Sequence, residues 1–253
     1  MKLRCLSIAL FFLAFGQMSF GQLTTSADFK RMVYEYGYSG GVSLSSSGYA
    51  LNGRYFKYVD GYNLRGFTLD LARLRHPKEV STQSDQINNY RGFVVGRMNA
   101  FFTARMGYFW ERIVFDKTDR GTISINWVNS GGLSLGLLKP IHLVVEETGP
   151  DNTFRLRTRR YEGGPFPARV RGEANFFVGI DQLKVHPGVY YKTGMNFDFQ
   201  KRDDRITALE GGIMLDYYFK EVPIFYEEPG TDVNWNLFFQ FYVSFNYGTK
   251  KID

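Results

Sequence analysis

Three histidines, His76, His142 and His186, are the only side chains in this 253-residue chain suited to acid–base work at neutral pH. His76 and His186 each precede a proline, and none of the three has a second ligand at metal-binding spacing. His-Glu-x-x-His does not occur. His142 with Ser134 is the one pair that would suit a lipid-modifying reaction at a membrane boundary. A histidine hydrogen-bonded at a strand end is the simpler account, so no catalytic residue is assigned. Ser130-Gly131-Gly132-Leu133-Ser134-Leu135-Gly136 shares only its glycines with a phosphate loop, since no Gly-Lys-Ser/Thr follows. Asp198, Asp203 and Asp204 lack the surroundings of a calcium loop. No metal or cofactor is assigned.

Two sets of charged residues remain. Arg155, Arg157, Arg159, Arg160, Arg169 and Arg171 lie among Pro150, Pro165, Pro167 and Pro187. Guanidinium forks bind phosphate and carboxylate bidentately, so this group is the candidate contact for an anion or a protein partner. Glu162 and Glu173 interrupt it, and a solvated loop is the plainer alternative. The second set, Arg54, Asp70, Arg105, Lys192, Asp198, Glu210 and Asp216, is scattered along the chain but shares one face of the segments described next.

Those segments are strands. Residues 236–247 place Leu237, Phe239, Phe241, Val243, Phe245 and Tyr247 on one face and Gln240, Ser244 and Asn246 on the other, with Phe238 and Tyr242 near the ends of that second face. A period of two marks a strand whose faces meet different surroundings. Seven more segments carry the pattern, over about 38–46, 49–58, 65–74, 93–108, 123–137, 188–200 and 209–217. The fifth has a bent or edge-like extension through Pro140 to Val145. Residues 109–120 are expected to form a turn-rich or helical connection. Residues 147–187 are expected to be a long loop, with a short helix near 180–184. Residues 78–90 and 220–234 complete the long connections, and 59–63 and 201–205 are short turns. With both termini on one side, the long connections fall on the other, the asymmetry of outer-membrane barrels.

Alternation alone leaves the inside undetermined. The polar face carries Gly132, Ser134, Gly136, Gly188, Gly194 and Gly212. Glycine weakens a strand and has no use on a solvated exterior, but it suits a crowded lumen. The expected fold is therefore all-β: a single antiparallel up-and-down transmembrane barrel of about eight strands, apolar face outward, with one long outward loop. The seven scattered charges then form a lumen network. A structural salt-bridge plug is preferred over a proton or ion path, because about eight strands enclose only enough space for side chains.

The ends and the composition fit export. Lys2 and Arg4 precede an apolar run over 6–15 and small residues near 19–21, the pattern of a signal peptide over 1–21, with the barrel domain over 22–253. That run is too short to span a membrane as a helix. Cys5, the only cysteine, lies ahead of the run, so neither acylation nor a disulfide is expected in the exported chain. The net charge of +6, two of it from Lys2 and Arg4, is too small to suggest nucleic acid. A mean hydropathy of −0.27 excludes a helical membrane bundle but not a membrane barrel. Trp110, Trp127 and Trp235 fit the aromatic girdles of a membrane interface.

Several stretches resemble a family of small outer-membrane β-barrel proteins of Bacteroidota: His76-Pro77-Lys78-Glu79, Met98-Asn99 with Arg105 and Gly107-Tyr108, Ser130 through Pro140, Phe176-Phe177 with Asp181, Leu183-Lys184 and Pro187-Gly188, and the Asp203-Asp204 turn with the final strand. The resemblance implies an outer-membrane barrel of the cell envelope and supplies no catalytic residue. By analogy it also suggests an accessory of a secretion or gliding machinery. The expected partners are outer-membrane lipids, lipopolysaccharide and an envelope protein. The expected work is structural or partner-docking, through 147–187 and 220–234, and not enzymatic. A lipid A-modifying barrel and a soluble periplasmic lipid carrier are the alternatives.

Overall fold

The computed structural model describes residues 34–75, 79, 81–82, 93–115, 123–148, 154–164, 169–199, 204–227 and 234–252. The expected signal peptide over 1–21 lies outside them, as do His76, Pro77 and Asp203. The chain is all-β. Its strands are β1 (Tyr36–Ser45), β2 (Gly48–Tyr58), β3 (Asn63–Leu74), β4 (Ser81–Thr82), β5 (Phe93–Val94), β6 (Asn99–Phe115), β7 (Ser124–Pro140), β8 (His142–Thr148), β9 (Phe154–Arg160), β10 (Arg169–Glu173), β11 (Lys184–Asp198), β12 (Arg205–Tyr218) and β13 (Leu237–Lys251). Eight of them close an antiparallel barrel in the order β1-β13-β12-β11-β7-β6-β3-β2. Tyr36 opposite Lys251 and Ser45 opposite Tyr242 pair the first strand with the last, so the barrel has no open edge.

Side chains alternate across the wall as the pleat requires. Phe239, Phe241 and Leu135 are 51%, 62% and 44% exposed, whereas Glu210 and Asp216 are fully buried. The apolar face therefore looks out and the polar face looks in, the reverse of a soluble lipid carrier. Outward charges occur only near the strand ends: Lys57, Arg65, Arg112, Arg205 and Lys251 at the rim that bears the termini, and Arg73 and Lys139 at the far rim. Between these rims each of the eight strands presents Val, Leu, Ile, Met, Phe, Tyr or Trp.

The interior is layered. At the far end Phe101, Leu138, Tyr218, Val222, Ile224, Phe225 and Phe238 pack together. Gly136 leaves the room for this layer, since a Cβ there would lie 2.8 Å from the Phe101 ring and 2.9 Å from that of Tyr218. At the terminus-bearing end Phe56, Leu64, Phe109, Val128, Ile206 and Ala208 form a second apolar layer. Polar and charged side chains fill the zone between them.

Three expected elements differ. The segment over 109–120 continues β6 as strand to Phe115, because Phe109 and Glu111 turn inward while Tyr108, Trp110 and Arg112 turn outward. The strand expected from residue 93 starts at Asn99. Gly96, at a φ of 80°, ends the short β4–β5 hairpin ahead of it. The segment over 147–187 is not one irregular loop. The chain leaves the barrel after Pro140, and β8 becomes the middle of a three-stranded sheet in the order β10-β8-β9. Ile141, Leu143, Val145 and Tyr161 form the core of that sheet, backed by Phe93, Met98 and Val170. Only a 3-10 turn at Ile180–Gln182 remains of the expected helix.

The β2–β3 turn at the terminus-bearing rim is held by Asp60, which accepts from the amides of Tyr62 (2.8 Å) and Asn63 (2.7 Å) and from Asn63 Nδ2 (2.8 Å). Partial burial pushes the Asp60 carboxyl up, but these hydrogen bonds and the nearby Arg65 outweigh it and hold the pKa below the ordinary carboxylate value. The turn's contribution to stability is then present above the unfolded-state pKa and lost as pH falls through the folded one. Carboxyl NMR of the micelle-solubilised chain should place the Asp60 midpoint below that of a free aspartate, and Asn63→Ala should raise it. An unchanged midpoint in the variant would remove Asn63 as a cause.

Candidate functional site

The charges predicted for the lumen come from β2, β3, β6, β11 and β12, and the barrel brings most of them together. Arg54 donates through Nη1 and Nη2 to both oxygens of Glu210, at 2.5 and 2.9 Å. Lys192 Nζ reaches the same carboxylate at 3.2 Å, and the Tyr242 hydroxyl donates to it at 2.9 Å. Lys192 also stands 4.2 Å above the Tyr242 ring. The arrangement answers the desolvation problem directly: a buried carboxylate is tolerated only when paired and hydrogen-bonded.

A second cluster lies beside it. Arg105 donates through Nε and Nη2 to Asp216, at 2.7 and 2.8 Å. Gln240 donates to the same carboxylate at 2.9 Å and itself accepts from Ser45. Thr103, Ser134 and Tyr218 close a ring of hydroxyls at 2.9 to 3.0 Å next to it. Asp70 is buried near Thr68 and, with Arg105, Lys192 and Tyr242, borders a small void between the two clusters. Asp198 is buried at the terminus-bearing end of β11, away from this group.

Glu111 is an interior carboxylate that the sequence reading missed. It accepts from Asn126 Nδ2 at 2.6 Å and Asn196 Nδ2 at 3.0 Å. The signal was present: Glu111 has the parity of Arg105, and continuing the alternation past Tyr108 would have found it. His142 and Ser134 are not assembled into a site. Ser134 is fully buried in the lumen hydroxyl ring, whereas His142 opens β8 and packs beside Gly179 outside the barrel. Among the described residues no group of His, Cys, Asp or Glu is placed to hold a metal ion.

The predicted arginines divide between two strands. On β9, Arg155, Arg157 and Arg159 share a face, and Arg157 and Arg159 both reach Glu147, at 3.9 and 2.5 Å. Arg160 ends that strand on the opposite face, exposed. Arg171, on β10 across the sheet, pairs with Glu146 at 2.5 Å. Arg169 opens β10 opposite Glu146. The group is therefore not one cluster, and β9 carries its exposed part.

Arg97, also missed, fastens the far end. Buried, it bridges Glu79 at 3.1 Å and Glu173 at 3.3 Å, tying β10 to the segment after β3. Its backbone pairs with Phe225, Met98 and Asn99 donate to the Ile224 carbonyl, and Asn234 accepts from the amides of Ile224 and Phe225. Lys139 sits 5.2 Å over the Phe176 ring and anchors the turn after β10. The sheet thus stands on a bonded base.

No family model matches the chain, and no curated protein sequence matches it. Among solved structures it is similar to Ail, the attachment invasion locus protein of Yersinia pestis, in complex with the heparin analogue sucrose octasulfate. The two are 6% identical with a TM-score of 0.41, over 86% of this chain and 99% of that one. It is also similar to Neisserial surface protein A, at 9% identity and a TM-score of 0.40, over 86% of this chain and 96% of that one.

The Arg105–Asp216 pair gives a direct test of what the interior does. Asp216→Asn leaves a buried guanidinium without its anion and should cost about 3–5 kcal/mol of stability. Joint replacement, Arg105→Met with Asp216→Leu, should recover most of that loss. Urea unfolding in detergent micelles, followed by the heat-dependent gel shift of folded barrels, measures both. Equal losses in the single and double variants would contradict an interior held by mutual neutralisation.

Proposed function

We propose that this chain is an integral outer-membrane barrel with a plugged lumen, whose work is to hold a docking platform at the outward end. The observation that carries the membrane reading is the outer wall: an apolar belt on all eight strands, with every outward charge confined to the two rims. No water-facing surface of this extent stays apolar without a partner, and hydrocarbon is the partner that surrounds a closed barrel on all sides. Tyr38, Tyr55, Tyr108, Trp110 and Trp127 near one rim, and Tyr49, Tyr217 and Phe239 near the other, suit interfacial girdles. The cleaved leader over 1–21 and periplasmic termini belong to the same reading.

Two features support a plug and a platform over a pore. Apolar layers close both ends of the lumen, and paired charges fill its middle. Beyond the far rim the chain spends β8, β9 and β10 on a sheet that the barrel does not need for closure. An accessory subunit of a surface secretion or gliding machine is one assembly that such a platform would serve. The lipid A-modifying alternative has no assembled Ser134–His142 pair to rest on.

Carbonate washing of membranes should leave the chain in the pellet, and the purified barrel should give no steady conductance steps in planar bilayers. Leu133→Arg, midway along β7 between Met106 and Val189 on the outer wall, should destabilise the barrel by about 2–4 kcal/mol. The same change at an exposed position in water would be nearly neutral, so an unaffected Leu133→Arg variant would contradict the lipid-facing wall.

A further inference from the structure

The sheet outside the barrel ends in a strand built to accept another. β9 is seven residues long, lacks proline, and is exposed at every position. It pairs with β8 on one side, and among the described residues no strand pairs with its other side. The Tyr161 amide donates to the Ile141 carbonyl at 2.9 Å, continuing the register that sets His142 opposite Arg160. Antiparallel ladders alternate bonded and non-bonded pairs. Arg155, Arg157 and Arg159 therefore spend their backbone groups on β8, while Leu156, Thr158 and Arg160 turn their N–H and C=O groups to the open side.

The side chains are sorted as well. Phe154 and Leu156, at 72% and 56% exposed, stand on one face, and Arg157 and Arg159 share a single carboxylate, Glu147, on the other. We propose that β9 is a strand-addition site for an extended segment of a surface or secreted protein in which acidic and apolar side chains alternate. Its acidic side chains would face Arg157 and Arg159, and its apolar ones would cover Phe154 and Leu156. A second copy of this chain is the wrong occupant, because β9 against β9 sets arginines opposite arginines. The inference rests on the platform reading and names the chemistry of its partner.

The test uses the full chain in micelles and a fluorescent seven-residue peptide of alternating Glu and Val. Peptides of alternating Lys and Val, and of the same Glu and Val residues in two blocks, serve as controls. The alternating acidic peptide should bind best and should protect the Leu156, Thr158 and Arg160 amides from hydrogen exchange. Thr158→Pro removes a donor on the open side and none from the β8 ladder, so it should weaken binding about tenfold or more. Continued protection of the Arg157 and Arg159 amides in that variant shows that the sheet is intact. Arg157→Gln with Arg159→Gln should abolish the preference for the acidic peptide over the Lys one.

Equal binding of the block and alternating peptides, or binding that Thr158→Pro leaves unchanged, would overturn strand addition and leave simple capture of anions by arginine. The platform reading has a separate readout. Crosslinking on intact cells that finds a partner at 142–173 or 219–236 regardless of Thr158→Pro would uphold it while sinking this inference.

Discussion

A ring of eight strands encloses so little space that a charge turned inward meets other side chains before it meets bulk water. That confinement governs the rest of the molecule. Glu210 is stable in the wall because Arg54, Lys192 and Tyr242 converge on it, and Asp216 because Arg105 and Gln240 do. Arg54 comes from β2, Lys192 from β11, Arg105 from β6, and Tyr242 and Gln240 from β13. The Arg54–Glu210 and Arg105–Asp216 pairs therefore act as crosslinks between strands that are not neighbours, and their geometry requires the register of every strand between them.

The same confinement explains the division of labour along the barrel axis. Charges occupy the middle, where enough polar neighbours can be assembled from facing strands. Aromatic and aliphatic side chains pack at the ends, Phe101 with Tyr218 and Phe238 at one and Phe56 with Phe109 at the other. Under the proposed docking role, recognition falls to what projects past the rim. β8 begins that projection at His142, just after β7 ends at Pro140. Arg97 and the backbone bonds around Ile224 fix its base.

Much of this was legible in residue order. Period-two alternation located all eight barrel strands, and glycines on the polar face identified the inside. What stayed hidden has physical causes. Arg54 and Glu210 are 156 positions apart, and no local pattern pairs them. β9 alternates, Phe-Arg-Leu-Arg-Thr-Arg-Arg, but every one of its residues meets water, so the rhythm marks no buried face and the arginines among flanking prolines resemble a solvated connection. β6 was cut short for a related reason: Trp110 and Arg112 mark the rim on the outside while Glu111 continues inward.

The pairing of β1 with β13 has a further meaning for biogenesis. Until β1 and β13 meet, the sheet keeps two raw margins of unpaired amides and carbonyls. Closing it joins the two barrel strands farthest apart in the sequence, so the ring should complete in a single zippering step.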